Sequence, residues 1–209
     1  MLNLQFLFSV FIYLLLGHLL ADFVFQPDSL VAWKHRSWKG VFVHSLIVLI
    51  VSLLVFWQLL FNDGVLYGLS VLILNAALHF GMDLYKIAEE RQCENSHDYV
   101  RMFFWDQFFH IGVLVIAALA LAILNAYTVF SWGPGYYFMT LLPLASYLVL
   151  AILCTYVYEI VKFQFVRQKH GGTILKFNYK AMGIRLVILS VIFGVVLFMG
   201  GFQIAKTFT

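Results

Sequence analysis

The chain is expected to be all-α: a polytopic membrane helix bundle of about six transmembrane helices, with both termini exoplasmic. Three observations lead there. Of 209 residues, 63% are hydrophobic and 11% carry a formal charge, where soluble domains are roughly 25% charged. Stretches without Asp, Glu, Lys or Arg recur along the whole chain at the roughly 20-residue length that a helix needs to cross a bilayer. The basic residues also fall almost entirely in alternate loops. A mean hydropathy of +0.93 leaves too little polar surface to cover a soluble core. A net charge of +3 is no basic patch for nucleic acid. The apolar runs lack the alternation of membrane β-strands.

The charge-free stretches run from Met1 to Ala21, Gly40 to Asn62, Gly64 to Met82, Gln107 to Tyr158 and Leu186 to Ala205. The fourth is too long for one crossing, and Ser131-Trp132-Gly133-Pro134-Gly135 supplies a turn that divides it. Helices are therefore expected over Leu4–Gln26, Val41–Phe61, Val65–Ile87, Phe103–Asn125, Tyr137–Lys162 and Met182–Lys206. Pro27 stops the first. Trp57, Trp132, Tyr136 and Tyr137 sit where an interfacial aromatic belt belongs. The run from Lys86 to Arg101 extends the third helix before a turn at Asn95-Ser96.

Residues 1–209 read as one transmembrane domain, with a four-helix core over 1–125 that carries the polar residues and two additional helices over 126–209. Of 13 Lys and Arg residues, only Lys206 lies outside the first, third and fifth loops. The positive-inside rule makes those loops cytoplasmic. The first helix lacks a basic n-region and a small-residue cleavage site, so it is expected to be a permanent span. Cys93 and Cys154 form no CxxC motif, and both read as packing residues.

Chemistry concentrates in three i, i+4 pairs: His18/Asp22 in helix one, His79/Asp83 in helix three and Asp106/His110 in helix four. One helical turn separates the partners, so each pair projects from one face. Counting 1.5 Å per residue places His18 roughly 12 Å in from Gln26 and His79 roughly 10 Å in from Lys86. The pairs thus share a depth in the cytoplasmic leaflet, with His44 of helix two beside them. The outer halves offer little beyond Ser9, Ser52, Ser70 and Asn125.

Asp22 and Asp83 are expected in the last turns of their helices, where the helix dipole disfavours a carboxylate, and Asp106 in a first turn, where it is favoured. Lys86, a protonated His or a divalent cation would compensate the two acids. Imidazole and carboxylate together suit Zn, Mn, Fe or Ni. The candidate metal ligands are therefore His18, Asp22, His79, Asp83, Asp106 and His110, with His44 as ligand or base. The plainer alternative is that each pair is an interhelical hydrogen bond. Asn75 and Gln107 read as outer-shell or interface residues, as does Gln26. Glu159 is expected to reach the headgroups, and His35, His97 and His170 to be solvated.

These residues carry a resemblance. The strings His18-Leu19-Leu20-Ala21-Asp22-Phe23-Val24-Phe25-Gln26-Pro27-Asp28, His79-Phe80-Gly81-Met82-Asp83-Leu84-Tyr85-Lys86 and Asp106-Gln107-Phe108-Phe109-His110, with the lone His44, resemble bacterial membrane proteins of domain-of-unknown-function family 3307. The likeness covers about residues 10 to 120 and supplies no reaction. A fainter likeness, through His35-Arg36, His44-Ser45 and His79/Asp83, is to inner-membrane metal-dependent hydrolases, although the spacing from Arg36 to His44 departs from that pattern.

The expected function is a metal-dependent hydrolase of the bacterial inner (plasma) membrane, acting on a lipid-linked or amphipathic substrate. His44 and Lys86 take catalytic parts, Lys86 by meeting an anionic headgroup. Membrane lipid is the expected partner and nucleic acid is not. The alternatives are a structural or partner-binding membrane protein, in which the pairs only set helix packing, and a proton or metal-ion transporter.

Overall fold

The computed structural model describes residues 3–57, 65–92, 98–126, 141–170 and 176–207, and every regular element in them is helical. Six helices are long and apolar enough to cross a membrane: Leu4–Val24, Trp38–Val55, Val65–Arg91, Tyr99–Asn125, Leu142–His170 and Tyr179–Met199. Large apolar side chains such as Leu54, Leu66, Ile73, Ile116, Val187 and Phe198 point outward. That is the inverse of a soluble surface, where contiguous apolar patches of such extent are rare.

Helix α1 (Leu4–Leu19) starts at Asn3, whose Oδ1 accepts from the N–H groups of Gln5 and Phe6 at 3.0 and 3.1 Å. This satisfies two donors that a helix start leaves open. The helix then widens into a π turn over Leu20–Val24, closed by Phe25 N–H donating to Leu20 C=O at 2.8 Å. Pro27 leads into a short helix, α2 (Asp28–Arg36), which the charge-free stretches did not reveal. Asp28 lies in its first turn, and Lys34, His35 and Arg36 in its last, the arrangement that the helix dipole favours.

Ser37 ends α2 and caps α3 (Trp38–Val55), its Oγ accepting from Lys39 N–H at 3.2 Å. The two helices fold back on each other tightly at Gly40. A Cβ there would lie 2.6 Å from Lys34 N and from the Trp33 carbonyl carbon, so only glycine permits this approach.

Helices α4 (Val65–Gln92) and α5 (Tyr99–Ala126) have 28 residues each, about 42 Å at 1.5 Å per residue, against a hydrocarbon core of about 30 Å. Both run past their expected ends at Ile87 and Phe103. A count of missing charges finds only the apolar part of a helix, whereas the backbone continues through Glu89, Glu90 and Arg101. The fifth span comprises α6 (Leu142–Ile152), a π turn (Leu153–Val157) and α7 (Tyr158–His170). The last is α8 (Tyr179–Thr207). The expected turns at residues 131–135 and 95–96, along with Cys93, Trp132, Tyr136 and Tyr137, lie outside the described residues.

Helix α1 is the axis of the bundle. It packs against α3, α5 and α6, while α4 bridges α3 and α5. Its Val10 and Leu14, with Leu72, Leu121 and Phe56, fill one half of the interior. Helix α8 is peripheral, with only 6% of its apolar window buried.

Candidate metal centre

Towards the other end, among buried apolar residues such as Leu19, Phe23 and Phe103, lies a polar cluster. His18, His44, His79, Asp83 and His110 are all buried, each from a span where leucine would be the ordinary choice. Their neighbours decide whether this is packing or chemistry, because a buried charge without a partner costs several kcal/mol.

Asp22 stands on the π turn that ends α1, a distortion often found at functional sites. Its Oδ1 lies 3.3 Å from His44 Nε2, 3.6 Å from His79 Nε2 and 3.7 Å from His18 Nδ1. Despite these approaches Asp22 Oδ1 is buried with no hydrogen bond. His44 Nε2 and His79 Nε2 face each other at 3.0 Å. Asp83 Oδ2 closes the group at 3.7 and 3.8 Å from the same two nitrogens. A tetrahedral ion bound by N and O donors at about 2.0–2.1 Å holds those donors about 3.3 Å apart. These six separations lie within about half an ångström of that edge, so small side-chain rotations would seat an ion.

His110 and His18 stand beside this group with one nitrogen each committed. His110 Nδ1 donates to the Asp106 backbone C=O at 2.8 Å, and its Nε2 is left buried without a partner, 3.9 Å from Asp83 Oδ1. His18 Nε2 donates to Gln107 Oε1 at 3.3 Å, leaving Nδ1 turned toward Asp22. An outward hydrogen bond that fixes the tautomer and presents the other nitrogen's lone pair is how ligating histidines are held. The four rings are in contact, the His79 and His110 centroids being 4.3 Å apart and those of His18 and His110 stacked at 5.2 Å. Three His/Asp trios in this cluster have donor atoms close enough to share an ion: His18, Asp22 and His79; His44, His79 and Asp83; Asp83, Asp106 and His110.

The ammonium groups are arranged differently from the sequence expectation. Lys34 of α2 reaches Asp83 Oδ2 at 2.5 Å, while Lys86, one turn beyond Asp83, is bonded instead to Asp106 Oδ2 at 2.7 Å. Gln107 Nε2 donates to that same oxygen at 3.1 Å. Gln26, with its amide turned to suit its neighbours, donates to the Asp22 C=O at 3.0 Å and accepts from Lys34 Nζ at 3.1 Å. Two carboxylates therefore have an ammonium partner, and among the described residues Asp22 has none. With neutral imidazoles, the three Asp and two Lys leave one uncompensated negative charge centred on Asp22.

The dipole expectations need correction as well. Asp83 lies well inside α4, which continues to Gln92, and Asp106 lies about two turns into α5, which begins at Tyr99. Neither acid feels a helix end, and their ammonium partners take over that role. Glu159 is not an exposed residue at its helix surface; it is buried and pairs with Arg185 of α8, whose guanidinium also lies 4.2 Å from the Tyr158 ring centroid. Asn75 is buried with its Oδ1 unpartnered, and no bond joins it to His79. His35 is exposed, as expected, and faces Glu90 at 3.6 Å. Burial pushes its pKa down, more than Glu90 lifts it.

A polar chamber of about 700 Å³ opens from the cluster, lined among others by Asp22, Lys34, Asp83, Lys86, Asp106 and Arg167. Sequence reasoning passed over Lys34 and Arg167, counting them only as loop charges. The signal for Lys34 was present, since Pro27-Asp28 followed by a basic final turn is a helix signature. For Arg167, on a different span, no sequence signal existed.

Fold and cluster together define a class: a polytopic helical protein with ionisable residues converging at one end of its bundle. The family described as "Protein of unknown function (DUF3307)" matches residues 10–133, more than half the chain, and the chain belongs to that family. The match takes in every His and Asp of the cluster and Lys34, and leaves out Arg167. No curated protein and no solved structure matches the chain.

Proposed function

We propose that the protein is a metal-dependent hydrolase of the bacterial inner membrane, acting on a lipid-linked or amphipathic substrate from the cytoplasmic leaflet. In this reading the basic loops face the cytoplasm and both termini the exoplasm. The observation that carries it is Asp22 Oδ1, buried among three imidazole nitrogens at 3.3–3.7 Å with no hydrogen bond and no ammonium partner. A divalent ion, Zn, Mn or Fe, compensates that charge and satisfies the donors at one stroke.

Catalytic sites keep a position open, whereas four protein ligands close it. Asp22, His44 and His79 serve as the three ligands, and Asp83, clamped by Lys34, stands beside the open position. A bound ion would supply Lewis acidity, lowering the pKa of a water toward about 7 and polarising the substrate's scissile group. His110 Nε2, unpartnered while Nδ1 donates to the Asp106 C=O, would take a proton from the attacking water and return it to the leaving group. His18 steadies Asp22, and Lys86 meets the substrate's anionic end.

Transport is disfavoured because towards the opposite end Val10, Leu14, Leu72 and Leu121 fill the interior and the buried polar residues near them, Ser9, Ser52 and Asn75, carry no ionisable group, whereas a conduction path needs polar groups through both leaflets. A purely structural role, the alternative, is disfavoured by the orphaned Asp22 and His110 atoms, since packing pairs satisfy one another. Metal analysis of the detergent-purified protein tests the proposal. Stoichiometric Zn, Mn or Fe that disappears in His79→Ala supports it. A protein that purifies without metal and takes up none on titration refutes it.

A further inference from the structure

A second cavity adjoins the chamber. It is a groove of about 670 Å³ between α4 and α5, walled by Leu78, Met82, Tyr85, Trp105 and Phe109. Lys86 and Asp106 line both spaces, so their ion pair is the partition between an apolar, outward-facing groove and the polar chamber. Gly81 forms part of the groove's wall, and a Cβ placed there meets nothing within 4 Å. Glycine in a helix interior weakens the helix, and no close approach requires it here. What its bare backbone leaves is open space in the groove.

We propose that this groove holds the hydrocarbon tail of a phosphate-bearing membrane lipid whose headgroup enters the chamber across the Lys86–Asp106 pair. This deepens the hydrolase reading, and rests on it, by naming the substrate class and its route. The tail matches the aromatic and aliphatic walls. The chamber is lined by Asp22, Asp28, Asp83, Glu90 and Asp106 as well as by Lys34, Lys86 and Arg167, but among the described residues no carboxylate pairs with Arg167, which lies 3.9 Å from the Tyr99 ring centroid, and an anionic headgroup would give that guanidinium its partner. A metal ion at the cluster adds two more positive charges. A phosphate offers several oxygens, enough for the Arg167 guanidinium, the geometry in which arginine binds best, and for a further N–H of Lys86 beside its bond to Asp106. Arg167 lies outside the family-matched segment, so this part of the recognition belongs to α7.

Any lipid-facing groove fills with some chain, so the test compares headgroups. The metal-loaded full chain is placed in phosphatidylcholine vesicles containing either phosphatidic acid or diacylglycerol, each with the same diazirine-bearing acyl chain. Cross-links are mapped by peptide mass spectrometry, and metal is measured on the same samples. Phosphatidic acid is expected to label Met82, Trp105 and Phe109 about tenfold more than diacylglycerol, the ratio that one charge-assisted contact provides. Gly81→Trp, or Leu78→Trp should the first fail to fold, is expected to remove that labelling with metal content unchanged. Lys86→Met is expected to abolish the preference between the lipids. Equal labelling by both lipids, or labelling indifferent to both groove-filling variants, overturns the proposal. Bound metal without selective labelling refutes the groove alone, and selective labelling of a protein that binds no metal refutes the hydrolase reading alone.

Discussion

Asp22→Asn separates a metal centre from a packing contact by the sign of its effect. Asn keeps the shape of Asp and removes the charge. In the metal-free protein, Asp22 Oδ1 is buried without a hydrogen bond, and both nearby ammonium groups are engaged with other acids. An unsatisfied buried group costs about 1–3 kcal/mol, and more when charged, so Asn should raise metal-free stability by on the order of 1 kcal/mol. With metal the sign reverses. Changing the outer partners of a ligand alone weakens metal binding by about 10–100-fold, so losing an anionic ligand should cost at least about 100-fold, or about 2.7 kcal/mol. At a fixed excess of metal, the stabilisation it gives shrinks by the same amount. The assay is thermal unfolding of detergent-solubilised protein followed by tryptophan fluorescence, with chelator and with Zn²⁺, alongside competition against a chromophoric chelator. Lines that cross between the two conditions fit a metal ligand. Equal destabilisation in both conditions refutes the reasoning, because that is what loss of an ordinary His–Asp hydrogen bond produces.

Other perturbations read other parts of the site. Lys34→Met strips Asp83 of its ammonium and should destabilise the metal-free protein by about 3–5 kcal/mol, the cost of leaving a buried charge unpaired, and by less once metal is bound; equal losses would mean that metal does not reach Asp83. Arg185→Met should cost about as much by orphaning buried Glu159, whereas Glu159→Met with Arg185→Met should be nearly neutral, with bound metal unchanged in both; metal loss would tie this pair to the site. His35, on α2 and outside the spans, has a pKa lowered by burial, so its neutral form is the one the fold favours. Stability from this group is complete above its unfolded pKa of about 6.5 and declines as pH falls through that value toward the folded pKa. His35→Gln should therefore lessen the acid-side loss of stability in urea titrations, and an unchanged pH profile would exclude the effect.

The six spans were legible because exclusion of charge from hydrocarbon dominates every other term, and the three i, i+4 pairs because helical periodicity fixes which residues share a face. Helix ends outside the hydrocarbon obey other rules, and there the reading fell short: α4 and α5 continue through charged residues, so Asp83 and Asp106 do not sit at helix ends. Lys34 shows why a cluster cannot be completed from spans alone. Its place depends on α2, a nine-residue helix too short to register as a span, and on Gly40, whose missing side chain lets α2 fold back onto α3. Only that return brings an ammonium group from a loop down onto Asp83. With Lys34 in place, Asp83 has a charge partner of its own, Lys86 is left to Asp106, and Asp22 becomes the acid without one. The identity of the uncompensated carboxylate, on which the metal proposal stands, thus follows from a tertiary contact made by a segment that sequence reading treated only as a source of loop charge.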